Sequence, residues 1–167
     1  MKNFNKIIAI SFIGLMITGC NTNNKNQENM KHENSTALFP KGDRLPGDWF
    51  TGEAFLSPLV ANDKNNEFSA GAVTFEIGAR TNWHTHPKGQ VLIVTEGIGF
   101  YQEKGKPAKI IKKGDVVNIP ENVEHWHGAS AKTSMTHIAI TNFKDNVQVT
   151  WLKPVTDEEF NQVNTEK

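Results

Sequence analysis

Five of the chain's six histidines fall between positions 84 and 137, and two of them form the string His84-Thr85-His86. In an extended segment residues two apart share a face, so this string projects two imidazoles together while Thr85 points away. Imidazole is the commonest protein ligand for transition metals, and a pair on one strand is half of a site. The turn Pro87-Lys88-Gly89 then brings Gln90 back on a neighbouring strand, where its side chain can meet those imidazoles. His125 lies far along the chain and must be delivered by the fold. Taken alone, His-X-His also fits a polar sheet edge. Cys20 is the single cysteine, which excludes an intrachain disulfide and a Cys-based zinc site, so a metal would have to use His, Asp, Glu or Gln.

What must position these side chains is a set of short strands. From Ala37 onward, short apolar runs are broken by Gly, Pro, Asn and Asp at intervals of roughly 8–12 residues, the spacing of sandwiches and barrels. The pattern predicts strands at 55–60, 72–77, 82–86, 90–96, 98–102, 108–111, 116–119, 124–129, 135–142 and 148–152. Val73, Phe75 and Ile77 alternate with Ala72, Thr74 and Glu76, as in a half-buried strand. A short, exposed terminal helix is expected at 157–163. Trp83 and Trp126 run out of phase with the histidines and are expected to pack the other side of the strands or a dimer interface. The fold class expected is all-β, one domain over residues 37–167.

With 167 residues, 37% of them hydrophobic, and Lys+Arg 18 against Asp+Glu 18, the chain suits one globular domain and lacks the basic footprint of a nucleic-acid binder. The first nineteen residues read as an address. Two lysines precede an apolar run over residues 7–17, the order of a secretory signal. Ile17-Thr18-Gly19-Cys20 then resembles a bacterial lipobox, in which the cysteine is lipidated and becomes the new N-terminus. The expectation is a signal peptide at 1–19, a lipidated Cys20 opening a polar tether at 20–36, and a membrane-anchored lipoprotein of the cell envelope facing the periplasm or exterior. His32 sits in that tether with no ligand type beside it, and reads as a solvated residue.

Glycine and proline frame the histidines in a recognisable way. Gly78 lies six before His84, Gln90 four after His86, and Gly97 seven after Gln90; Gly114 lies six before Pro120, and His125 follows five later. Over residues 78–129 this resembles, in order, the two motifs of the cupin family, small β-barrel jelly rolls. Gln90 replaces the usual Glu, Asn122 a Gly and Ala129 an Asn; Asn tolerates positive φ, so only Gln90 bears on chemistry. The strings from Gly78 to Pro87, Gly89-Gln90, His125-Trp126-His127-Gly128-Ala129 and Met135 to Ile140 are similar to the manganese-dependent bacterial cupin hydroxynitrile lyases. Cupins associated with carboxymuconolactone decarboxylases carry the same strings.

The resemblance implies a metal held by His84, His86, Gln90 and His125, with His137 as base. Three imidazoles and an amide are all neutral, so a divalent metal would keep its full charge and act as a strong Lewis acid toward a substrate oxygen gaining negative charge. Donors without thiolate suit Mn, Fe, Co or Ni better than structural zinc; manganese is implied by resemblance, with iron the alternative. His137 shares a strand face with Met135 and Ala139, which would lower its pKa; by spacing alone it also reads as a core histidine held by a carbonyl. His127 shares parity with His125, as a pocket donor or a ladder residue at the barrel mouth, and Thr81 could add a hydroxyl to the pocket. Three readings follow: a metal-dependent carbon–carbon lyase of small organic molecules, an Fe-dependent dioxygenase, and a non-catalytic ligand-binding lipoprotein. The resemblance also allows a homodimer through an outer sheet.

Overall fold

The computed structural model describes residues 37–165. The expected signal peptide, Cys20 and the tether with His32 lie outside them. The chain runs β1 (Asp43–Arg44), β2 (Phe50–Thr51), β3 (Ala54–Val60), β4 (Phe68–Phe75), β5 (Arg80–Thr81), β6 (His84–Thr85), β7 (Gln90–Glu103), β8 (Lys109–Lys112), β9 (Val116–Ile119), β10 (His125–Ala129), β11 (Met135–Asn142), β12 (Thr150–Trp151) and α1 (Asp157–Thr165). The expected all-β class holds. Strand order is β1-β3-β4-β11-β7-β10-β5-β2, with β8 and β9 added to β7 and β6 placed between β10 and β12. Among the described residues no helix is long and apolar enough to cross a membrane.

The longest strand, β7, belongs to both faces of the rolled sheet. Its first half pairs antiparallel with β11 and β9, and its second half with β10 and β8. The sequence suggested two strands broken at Gly97. Instead the strand continues through it: Gly97 takes φ 73°, and a Cβ there would lie 1.9 Å from the Ser134 carbonyl oxygen, so only glycine passes. Next to this point the register slips between Thr136 and His137 of β11, which pair with Glu96 and Val94 and leave Thr95 as the extra residue of a bulge. Thr95 uses its hydroxyl to hold the Thr136 carbonyl at 3.1 Å.

Other boundaries moved too. The strand expected at 72–77 begins at Phe68 and ends at Phe75, because Glu76 to Gly78 form the turn into β5. The strand expected at 82–86 is shortened to His84–Thr85, since Asn82 and Trp83 turn their backbone N–H groups to Trp49 and Lys153. Asn122 adopts φ 59°, as its place in a glycine slot required.

Two apolar clusters result. The inner one includes Val73, Phe75, Leu92, Val94, Tyr101, Ile111, Ile119 and Met135. The outer one joins Trp83, Phe100 and Trp126 to Val155, Phe160 and Val163. The terminal helix is therefore not a bare surface element, and the two tryptophans are covered by the chain's own C-terminus. Reciprocal bonds between Thr156 and Glu159 form a capping box, Thr156 N to Glu159 Oε2 at 2.9 Å and Glu159 N to Thr156 Oγ1 at 3.1 Å. Buried Arg80 fastens the helix start, donating to Asp157 Oδ1 at 2.6 Å and Val155 O at 3.1 Å, with its guanidinium 4.5 Å from the Phe160 ring centre.

Candidate metal centre

Strand β10 lies beside β6 in the register that sets His125 opposite His84, and their ring centres are 4.2 Å apart. That is how the fold delivers the distant histidine. His86 follows β6 immediately, its ring 5.0 Å from His84 and 5.4 Å from His125. The Pro87-Lys88-Gly89 turn is closed by Gly89 N donating to His86 O, and it places Gln90 at the head of β7, opposite Ile119 of β9 and Thr141 of β11. His127 stands two residues beyond His125 on the same face. His137 comes from β11 across the barrel. All five rings are buried.

The outward-facing nitrogens are held. His84 Nδ1 donates to Asn82 O at 2.9 Å, His86 Nδ1 to Gln148 O at 2.6 Å and His125 Nδ1 to Val123 O at 2.8 Å. A carbonyl only accepts, so each contact fixes the proton on Nδ1 and leaves a lone pair at Nε2. The inner nitrogens are another matter: Nε2 of His86 and His125, both lone pairs, is buried without a hydrogen-bond partner, as is Nε2 of His127, which is an acceptor only if His127 donates its Nδ1 proton to His137. Gln90 follows the same logic, donating Nε2 to Thr141 Oγ1 at 2.8 Å and leaving its amide oxygen buried and unpartnered. Buried polar atoms left bare are costly, and a group of acceptors converging on one point is what a cation satisfies. His84, His125 and His127 each offer a nitrogen within 4.8 Å of one another, so the donor set fits a divalent metal.

Of the expected ligands, His84 and His125 belong to that group of three; His86 stands beside them with its ring 5.0 Å from that of His84, Gln90 lines the same cavity, and His127, expected as a pocket donor, takes the third place in the group. His137 Nε2 lies 3.2 Å from His127 Nδ1. Thr81 is buried and its hydroxyl accepts the His127 backbone N–H at 3.2 Å. Burial pushes His125 and His137 down to about 4, and holds His84 and His127 well below the usual histidine range; His86 is lowered by the same cause. All are neutral at pH 7. A cavity of about 130 Å³ opens beside them, walled by Phe50, Phe75, Val73, Ala139 and Trp151.

Sequence reasoning missed four contributors. Thr141 shares a strand face with His137 and Ala139, and that parity was the available signal for its grip on Gln90. The Gln148 carbonyl and the rings of Phe50 and Trp151 carried no such signal, because β2 and β12 are two residues long, too short for an alternation to show which side faces the histidines.

Residues 71–141 match the cupin domain. The (R)-mandelonitrile lyase of Granulicella tundricola is 47% identical over 115 residues, 69% of this chain and 88% of that protein. The crystal structure of a cupin-like protein from Thermotoga maritima is 47% identical with a TM-score of 0.74, covering 78% of this chain and 99% of that one. A DMSP lyase of Ruegeria pomeroyi has a TM-score of 0.53 at 17% identity, over 72% of this chain and 62% of that one, a likeness of fold alone.

Proposed function

The chain belongs to the cupin family, and on that premise we propose that it is a metal-dependent lyase that breaks a carbon–carbon bond in a small α-hydroxynitrile or a related carbonyl adduct. The observation that carries this reading is the buried three-histidine group of His84, His125 and His127, with His86 Nε2, His125 Nε2 and Gln90 Oε1 buried and unpartnered near it, beside a small cavity walled by apolar side chains. Its kinship with a mandelonitrile lyase supports the same chemistry.

His84, His86, Gln90 and His125 would hold the metal; the nitrogen and oxygen donors do not choose among Mn, Fe, Co and Ni, and manganese is favoured by the resemblance to the manganese-dependent cupin hydroxynitrile lyases. When bound, a divalent metal supplies Lewis acidity toward a substrate oxygen. His137 moves the proton. Its neutral ring takes the proton from the substrate hydroxyl; the oxygen pair forms the carbonyl, the carbon–carbon pair leaves with the nitrile carbon as cyanide, and His137 returns the proton to cyanide. Burial lowers the basicity of His137 yet keeps it unprotonated at pH 7, and so ready to accept. For this, His137 must donate Nε2–H to His127 Nδ1, which leaves the lone pair on His137 Nδ1, buried and without a partner. Phe50, Phe75 and Trp151 exclude water from the same space.

The test is aldehyde release from mandelonitrile and an aliphatic cyanohydrin by purified protein loaded with Mn²⁺, beside His137→Ala. The reading requires turnover that falls roughly 10²–10⁴-fold in the variant while metal content stays unchanged. No turnover by the Mn²⁺-loaded protein, with dioxygen uptake by the Fe²⁺-loaded protein instead, would replace it with the dioxygenase reading. We propose further, from Ile17-Thr18-Gly19-Cys20, that the enzyme is tethered to the cell envelope by lipid on Cys20.

A further inference from the structure

Two segments of chain, distant in sequence, hold the outer sides of His84 and His86. One is the stretch before β2. Its Trp49 carbonyl accepts the Asn82 backbone N–H at 2.8 Å and its Asp48 carbonyl accepts Asn82 Nδ2 at 2.9 Å. Asn82 in turn gives its own carbonyl to His84 Nδ1. The other is the stretch entering β12. Gln148 gives its carbonyl to His86 Nδ1, while Ser69 Oγ donates to Gln148 Oε1 at 3.0 Å. Thr150 and Trp151 pair with Thr85 and His84, and the Trp151 ring centre lies 4.9 Å from that of His84.

The two segments meet in one contact. The rings of Trp49 and Trp151 stack with centroids 5.5 Å apart and planes within 5° of parallel. Trp49 is 43% exposed and belongs to neither apolar cluster, so its packing into the core does not account for its position. Phe50 adds an edge-on contact to Trp151 at 5.5 Å. A closed circuit results: His84 to Asn82, Asn82 to Trp49, Trp49 to Trp151, and Trp151 back to His84.

We propose that Trp49 and Trp151 are positioning residues: their stack clasps the segment that holds Asn82 to the segment that carries Gln148, and thereby sets how tightly the centre keeps its metal. This inference rests on the metal-binding reading. Neither tryptophan is a ligand; each acts through a histidine's orientation, Trp151 against the His84 ring and Trp49 through Asn82, as the partners behind metal ligands generally do. Without the stack, the segment keeps its short pairing with β6, the backbone bonds that join Leu152 and Lys153 to Trp83, the Ser69 bond to Gln148 and the edge contact of Phe50, but loses its link to the stretch that holds Asn82.

The experiment uses the full chain and Co²⁺ as the probe. Dissociation constant, rate of loss to a chelator and visible absorption are compared for wild type, Trp49→Ala, Trp49→Phe and Trp151→Phe, with the thermal midpoint of each metal-free protein alongside. Trp49→Ala is expected to weaken Co²⁺ binding roughly 10-fold, speed its loss and alter the spectrum, while Trp49→Phe, which keeps a stacking ring, retains most of the affinity. A metal-free midpoint that falls with unaltered Co²⁺ affinity and spectrum would make the stack merely structural and overturn the inference. Wild-type affinity and spectrum in both Trp49→Ala and Trp151→Phe would do the same and leave the proposed function standing. Absence of Co²⁺ binding by the wild type would overturn both.

Discussion

His137 Nε2 and His127 Nδ1 face each other at 3.2 Å inside the barrel, and one proton serves the contact. Both rings are neutral at pH 7, so each carries a single N–H. Which ring donates decides the work of both. With His137 as donor, its Nδ1 holds a lone pair and His127 presents an N–H at Nε2 to the cavity. With His127 as donor, its Nε2 becomes a ligand beside those of His84 and His125, and His137 is spent as an acceptor. The proposed reaction needs the first arrangement. Proton–nitrogen correlation spectra of the histidine side chains should therefore find the His127 proton on Nε2 in the loaded protein; a proton on Nδ1 would remove His137 as the base.

Gln90 sets the charge of the centre. Its amide is held by Thr141, with the oxygen turned inward, and Gln90→Glu would put a carboxylate in the same place. An anion there attracts a cation more strongly and cancels part of its charge, so metal affinity should rise while cyanohydrin turnover falls. Isothermal titration with Mn²⁺ and the aldehyde-release assay read the two effects separately. Gains in both would mean that the neutral donor set has nothing to do with Lewis acidity.

Acid should undo the fold through the same histidines. Their protonated forms are disfavoured in the folded state, whereas in the unfolded chain they titrate near 6.5. Below that pH the unfolded chain takes up protons that the native state refuses. Stability is full above pH 6.5 and lost progressively as pH falls toward 4, by about 3 kcal/mol for each ring shifted from 6.5 to about 4. Urea midpoints of the metal-free protein should drop steeply between pH 6.5 and 4.5. A flat profile across that window would contradict the burial of the cluster.

The terminal helix should prove essential to stability although it touches no ligand. Phe160 packs on Trp126 with ring centres 6.1 Å apart and lies under the Arg80 guanidinium. Phe160→Ala is expected to cost about 3–5 kcal/mol, read as a lowered urea midpoint, with metal stoichiometry kept at pH 7. A change below about 1 kcal/mol would mean that Trp83 and Trp126 are covered by something other than this helix.

Much of this was legible in the residues. Parity on a strand was enough to pair His84 with His86 and His125 with His127, because side-chain direction alternates regardless of what surrounds the strand. The glycine and proline frame carried the resemblance to the two cupin motifs, and through it the expectation that distant His125 joins His84 and His86. Three things escaped. Gly97 looked like a break, yet the strand runs through it, since a glycine can turn a strand as well as end one. The helix at the C-terminus looked exposed because its apolar residues are few; only the tertiary fold shows that Val155, Phe160 and Val163 meet two tryptophans. And the bonds behind the ligands use backbone carbonyls of Asn82, Val123 and Gln148, groups that every residue owns and no sequence pattern announces.

The centre draws on chain segments that lie far apart, residues 84 to 90 on one side and 125 to 127 on the other, and they are united by β7, which runs through both halves of the barrel. An unfolded chain offers a metal only the partial sets of its two short segments, His84, His86 and Gln90 in one and His125 and His127 in the other, and never the whole site at once, unlike a centre whose ligands all sit in one short loop. The long-range pairing must come first, at the slow rate that distant contacts impose. A metal bound at this centre would then act as a late brake, leaving the speed of folding to the strands and lengthening the lifetime of the native state.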